Sequence, residues 1–202
     1  MIIGNGIMIG RIFNTVSSVV PETPVTPPSD LVFSDNFNRA DNTSLGSSWS
    51  NIIGSMGVQN QKAYVVTTVS RTTMVATDVG MSDCIISADI TVANQDGLSF
   101  RVVDSSNYYF ARLTANGLLQ VYRVLSGAST LLGEYSVGSV SGGTYRMKIK
   151  VQGDILTIGV DSNESMVSTN TSYFNAATMF GLRSYSTGAY GTYDNFECRQ
   201  VI

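Results

Sequence analysis

From residue 31 onward, apolar residues either alternate with polar ones or run together for four to eight positions, between turn residues spaced every eight to twelve positions. The first pattern describes a half-buried β-strand and the second a strand covered on both faces. Together they predict strands over 31–37, 56–58, 63–66, 73–77, 84–92, 98–103, 108–114, 118–125, 129–136, 145–152, 155–160, 166–169, 179–185 and 191–199. Turns are expected at Asp96-Gly97, Asn116-Gly117, Ser126-Gly127, Gly142-Gly143 and Gly153-Asp154, pairs that supply positive φ or a side chain that bonds its own backbone. No stretch of ten or more residues carries a 3.6-residue stripe. So many short strands imply an all-β domain of two packed antiparallel sheets, a β-sandwich of the jelly-roll kind.

Upstream the pattern changes. Residues 1–13 hold Ile2, Ile3, Ile7, Ile9, Ile12 and Phe13, broken by Gly4, Gly6 and Gly10. The segment lacks a basic start and a clean small-residue cleavage site, so a signal peptide is a poor fit. Its glycines do not make a dinucleotide fingerprint, since no strand precedes them. An apolar peptide of this kind needs cover in water. That cover is a larger assembly or other copies of the chain, so 1–13 reads as an anchor and a homo-oligomer, a trimer, is expected. Residues 14–30 contain Pro21, Pro24, Pro27 and Pro28, a stiff spacer that at ~3.1 Å per residue reaches on the order of 25 Å between residues 20 and 28. Anchor 1–13, linker 14–30 and domain 31–202 have the order of a displayed module.

Composition narrows the function. Charged residues are 13% of the chain, against ~25% in typical soluble domains, so Ser, Thr, Asn and Gly must carry the polar surface. The net charge of −3 argues against a nucleic-acid partner, which calls for a basic footprint. No apolar run approaches the ~18 residues of a membrane span, so no membrane insertion is expected. The chain has no histidine, which removes Ser-His-Asp and Cys-His catalysis and His-ligated zinc. Cys84 and Cys198 allow either one disulfide or two buried thiols.

The stretch from Phe33 to Trp49, Phe-Ser-Asp-Asn-Phe-Asn-Arg-Ala-Asp-Asn-Thr-Ser-Leu-Gly-Ser-Ser-Trp, resembles the entry motif of concanavalin A-like lectin/glucanase jelly rolls, LamG-like modules above all. The stretches 54–64, 97–113, Phe180-Gly-Leu-Arg183 and Tyr193-Asp-Asn-Phe196 extend the likeness over residues 31–202. The resemblance implies an entry strand beside the last strand. It speaks to fold more than function, because lectins, hydrolases and structural modules share that fold. The family's hydrolases carry a Glu-x-Asp-x-Glu triplet, whose carboxylates must lie ~5 Å apart for retaining chemistry. Glu22, Glu134, Glu164 and Glu197 are scattered here, so no enzymatic activity is expected.

Two sites follow from the resemblance. A structural Ca²⁺ is implied between Asp194 in the last strand and Asp35 or Asp41 near the entry strand, since Ca²⁺ takes six to eight oxygen ligands. The same carboxylates also read as caps for backbone amides at strand ends and corners. A glycan-facing sheet is the second, from Arg101, Tyr109, Arg112, Tyr122, Arg123 and Arg183, with aromatic faces for sugar rings and fixed donors for hydroxyls. Strand alternation puts Phe110 and Arg112 on one face and Tyr109 on the other, so the set cannot all line one surface. Trp49 reads as a plug at the end of the sandwich.

Short apolar leaders before a Pro/Thr spacer also resemble the attachment ends of bacteriophage fibre and capsid-decoration proteins. The first expectation is therefore a non-enzymatic virion-surface protein, joined to other virion proteins by its leader and displaying a cell-surface glycan-binding jelly roll. The second is a stand-alone extracellular bacterial carbohydrate-binding or adhesion module.

Overall fold

The computed structural model describes residues 30–201, apart from the side chains of residues 164–166. The expected anchor residues Ile2, Ile3, Ile7, Ile9, Ile12 and Phe13, and the proline-rich spacer, lie outside the described residues. Fifteen strands follow: β1 (Leu31–Asp35), β2 (Ser50–Ile53), β3 (Ser55–Gln59), β4 (Lys62–Thr67), β5 (Thr72–Asp78), β6 (Cys84–Thr91), β7 (Gln95–Asp104), β8 (Asn107–Thr114), β9 (Leu118–Leu125), β10 (Ala128–Ser136), β11 (Thr144–Gln152), β12 (Ile155–Val160), β13 (Asn163–Asn170), β14 (Met179–Tyr185) and β15 (Thr192–Gln200). The all-β expectation holds, and fourteen of these strands coincide with predicted segments. The addition is β2, whose four residues start with Ser-Asn and carry too little periodicity to read.

Two antiparallel sheets pack face to face. One runs β13-β12-β11-β6-β15-β4-β3, with β1 also paired to β15, and the other runs β10-β9-β8-β7-β14-β5-β2. Alternation sets the core. Ile86, Ile90, Met147, Ile149, Leu156 and Phe196 of the first sheet meet Val75, Leu98, Phe100, Tyr109, Val121 and Phe180 of the second, all essentially without exposure. Each such side chain contributes about 1.5–3 kcal/mol of hydrophobic stabilisation on burial, which is why the sandwich forms with few ion pairs.

The predicted turn at Asp96-Gly97 is instead the start of β7. The Asp96 carboxylate bonds the amides of Ala93, Asn94 and Gly191 and the Ser184 hydroxyl. Gly97 lies so close to β8 that a Cβ would stand 1.9 Å from the Ala111 carbonyl oxygen. The glycine marks a close strand approach, one of its two meanings inside a strand.

The entry stretch closes the sandwich, as its resemblance implied. Along one edge of β15, Tyr193 pairs with Ala63 of β4, and then Phe196, Glu197, Cys198 and Arg199 pair with β1. Trp49 is buried against Phe33, Phe37 and Phe196, and its Nε1–H donates to Asp35 at 2.9 Å. Burial alone pushes the Asp35 carboxyl up, but hydrogen bonds from Arg39, the Phe37 amide and Trp49, with the Arg39 charge, bring it below the ordinary aspartate value. A depressed carboxylate adds stability above its unfolded-state pKa, and that stability is lost as pH falls through the folded value. Asp35→Asn should therefore flatten the acid limb of the stability profile below about pH 4, measured as urea midpoint against pH; an unchanged limb would exclude Asp35 as its source.

Cys84 and Cys198 are buried free thiols. A hydrogen bond to Cys198 and then burial push the Cys84 thiol far up, which keeps it out of thiolate chemistry.

Candidate functional site

The outer faces of the two sheets differ in how their charges are used. On the β6–β15 sheet, Arg146 donates to Asp89 at 3.2 Å, Glu197 at 3.1 Å and Ser87 at 2.9 Å. Arg199 joins Glu197 at 3.2 Å to Asp30 at 2.7 Å. That face carries an internally neutralised network.

The outer face of the β7–β14 sheet is built in rows. The registers align Met74, Arg183, Gly97, Arg112, Gln120 and Glu134 across β5-β14-β7-β8-β9-β10. The neighbouring row is Ala76, Gly181, Ser99, Phe110, Tyr122 and Leu131. Phe110 and Tyr122 stack at 5.0 Å between centroids and 10° between planes. The Arg183 guanidinium lies 3.7 Å from the Phe110 centroid and that of Arg112 lies 4.7 Å from Tyr122. Around this ladder Met74, Ala76, Val102, Tyr108 and Val124 form a second apolar cluster, outside the main core.

Arg112 makes its contacts to neutral groups. Its Nε donates to Gln120 at 2.8 Å, Nη2 to the Tyr122 hydroxyl at 3.1 Å, and Nη1 to Gln95. Gln120 in turn donates to Glu134. Beside Arg112 opens a recess of about 220 Å³, with Asn94, Gln95, Thr114, Asn116 and Gln120 among its walls. Amide, hydroxyl and guanidinium groups beside aromatic faces are the chemistry that holds sugar rings.

The predicted glycan set thus divides. Arg112, Tyr122 and Arg183 share the outer face. Arg101, Tyr109 and Arg123 do not: Tyr109 is in the core, stacked on Phe100 at 5.4 Å, and its hydroxyl accepts from the Tyr173 amide at 3.1 Å. Arg123 stacks over Tyr173 at 4.3 Å. Arg101 is fully buried and binds Ser82, Asp83, Gly153, Thr171 and Asn175. Sequence reasoning missed Gln95, Asn94 and Gln120, and it placed Phe110 on the face of Arg112 without counting it in the site. Gln120 could have been found from alternation, since it shares parity with Tyr122.

The carboxylates expected to share Ca²⁺ each accept hydrogen bonds within the protein. Asp35 receives Arg39, the Phe37 amide and Trp49 on its two oxygens. Asp41 accepts from the Asn60 amide and Asp194 from the Asn195 amide. Among the described residues, no group of three or more His, Cys, Asp or Glu side chains is placed to hold a metal.

No protein-family profile matches the sequence, and no curated protein sequence matches it. Solved structures do. The carbohydrate-binding module CBM66 from Bacillus subtilis superposes with a TM-score of 0.67 at 20% identity, over 78% of this chain and 98% of that one. SCLam, a non-specific endo-β-1,3(4)-glucanase of family GH16, gives 0.59 at 10% identity, over 88% and 94%. LamAcat from Zobellia galactanivorans gives 0.56 at 12% identity, over 84% and 97%. These superpositions show the fold alone: a two-sheet antiparallel β-sandwich that a carbohydrate-binding module and glycoside hydrolases also adopt.

Proposed function

We propose that this protein is a non-enzymatic carbohydrate-binding module whose ligand face is the outer face of the β7–β14 sheet. The observation that carries this reading is the Arg183–Phe110–Tyr122–Arg112 ladder beside a recess lined with amides. The ladder is locked by stacking and strand pairing, so it is organised before ligand arrives and little is lost in ordering it. The superposition on a carbohydrate-binding module supports the same reading. Retaining glycoside hydrolysis needs two carboxyl groups ~5 Å apart. On the arginine row the carboxylate is Glu134, and its Oε2 is taken by Gln120.

A virion role rests on the leader, which lies outside the described residues, whereas the extracellular bacterial module rests on the fold and this face. The second is the reading adopted. On a glycan array, the full chain should retain at least one saccharide class, and Tyr122→Ala should weaken that retention about tenfold or more, the scale of one lost aromatic contact. Tyr64→Ala, in β4 of the other sheet, should leave it unchanged. Equal loss in the two variants would place the ligand elsewhere, and no retention of any glycan would overturn the reading.

A further inference from the structure

Four of the eight arginines among the described residues have a carboxylate partner: Arg39 with Asp35, Arg101 with Asp83, Arg146 with Asp89 and Glu197, Arg199 with Asp30 and Glu197. Arg112 and Arg183 have none within ion-pair distance, yet they stand on the same row with Gly97 between them. A guanidinium has five N–H donors. Arg112 directs donors to Gln95, Gln120 and Tyr122, all neutral, and has N–H groups to spare. Arg183 is 7% exposed, and its Nε and Nη1 are buried without an acceptor. The Ser99 hydroxyl, next along β7 on the same face, is likewise buried and unpartnered. A buried cation without a counter-charge is costly, and native proteins leave few such groups unexplained. Burial weakens Arg183's hold on its proton; the Tyr108 hydroxyl beside it works against that, and the neighbouring Arg112 charge adds to it.

Gly97 supplies the space between them. Its place against β8 excludes any Cβ, so no side chain stands over the row at that point. Glu134 closes the far end beyond Gln120 and repels an anion there, which confines negative charge to the Arg112–Arg183 end. We propose that this row seats the carboxylate or sulfate of an acidic saccharide between Arg112 and Arg183, while Tyr122 and the Asn94–Gln95 wall hold the ring. This rests on the carbohydrate-binding reading above and adds the ligand class. The two guanidiniums present planar, charge-assisted donors of the kind that select oxyanions. The chain's net charge of −3 opposes non-specific adsorption of polyanions, so retention of an acidic glycan reports a local site.

The experiment is affinity electrophoresis and calorimetry of the full chain with oligogalacturonate, dextran sulfate and unmodified dextran. The expected result is binding to one or both acidic probes about tenfold or more tighter than to dextran, weakening as NaCl rises. Comparison of the two acidic probes identifies carboxylate or sulfate. Arg112→Gln should abolish the acidic preference, Arg112→Lys should restore part of it, and Lys150→Gln, which removes the same charge from β11 of the other sheet, should not change it. Equal binding of acidic and neutral probes would overturn the acidic class while leaving the carbohydrate reading intact. An acidic preference that survives Arg112→Gln would also overturn the proposal. Absence of binding to every glycan tested would overturn both readings together.

Discussion

Replacing Arg101 with alanine is expected to cost the domain about 3–5 kcal/mol, the range for truncating a large buried side chain and leaving its hydrogen-bond partners unpaired. Its guanidinium has no exposure and reaches three loops at one end of the sandwich. It donates to the Gly153 carbonyl at 2.6 Å, to Asp83 at 3.0 Å, to Thr171 Oγ1 at 3.0 Å and to Asn175 at 2.7 Å. Removing it leaves carbonyl oxygens without donors and a void of arginine size. Arg101→Lys keeps a charge but not the planar fork, so it should recover only part of the loss. Arg112→Ala, on a half-buried residue with neutral partners, should shift stability by about 1 kcal/mol or less. Urea midpoints with unchanged m-values provide the measurement. A stable Arg101→Ala protein would show that the clamp does not hold the loops.

Asp96→Ala should destabilise by about 3 kcal/mol, because it strands one buried and two partly buried backbone amides, at about 1–3 kcal/mol for each buried donor left unpaired. Asp96 accepts from Ala93 at 2.8 Å, Asn94 at 3.1 Å and Gly191 at 3.0 Å, and from the Ser184 hydroxyl. Asp96→Asn keeps the shape but turns an N–H toward one of those amides, so it should not rescue. Because Asn94 and Gln95 line the recess beside Arg112, any folded Asp96 variant should also lose glycan affinity. Stability and binding measured on the same variant test both links, and a fully stable Asp96→Asn would remove the carboxylate from this role.

The strands were legible because alternation and turn chemistry agree along most of the domain. The face of Arg112 was legible for the same reason: its parity with Phe110 follows from counting by twos. Arg101 was not. Counting from Ser99 puts it on the outer face, but the β7 registers to β8 and β14 shift after Phe100, and Arg101 adopts φ 47°. That bulge reverses the alternation, sending Val102 to the outer cluster and Arg101 inward. A bulge inserts one residue, and one residue is enough to exchange faces. Asp96-Gly97 misled for a related reason, since the turn-forming pair is used for a buried carboxylate and a close backbone approach. The aspartates implied as calcium ligands could not be judged without knowing which amides and side chains face them.

The position of β15 has a consequence for how the chain comes to be folded. It is the last of the described strands, yet it lies inside its sheet, with β6 on one side and β1 and β4 on the other. Pairs such as Leu31 with Arg199 join the two ends of the domain. During synthesis the first sheet therefore has a gap at its centre until residue 200 has left the ribosome. Until then β1 has no hydrogen-bonding neighbour, and Trp49 lacks the Phe196 ring that it packs against. Such long-range closure makes folding slow. A nascent chain stalled before residue 192 exposes two unsatisfied edges, whereas one extended past residue 200 carries the strand that joins them.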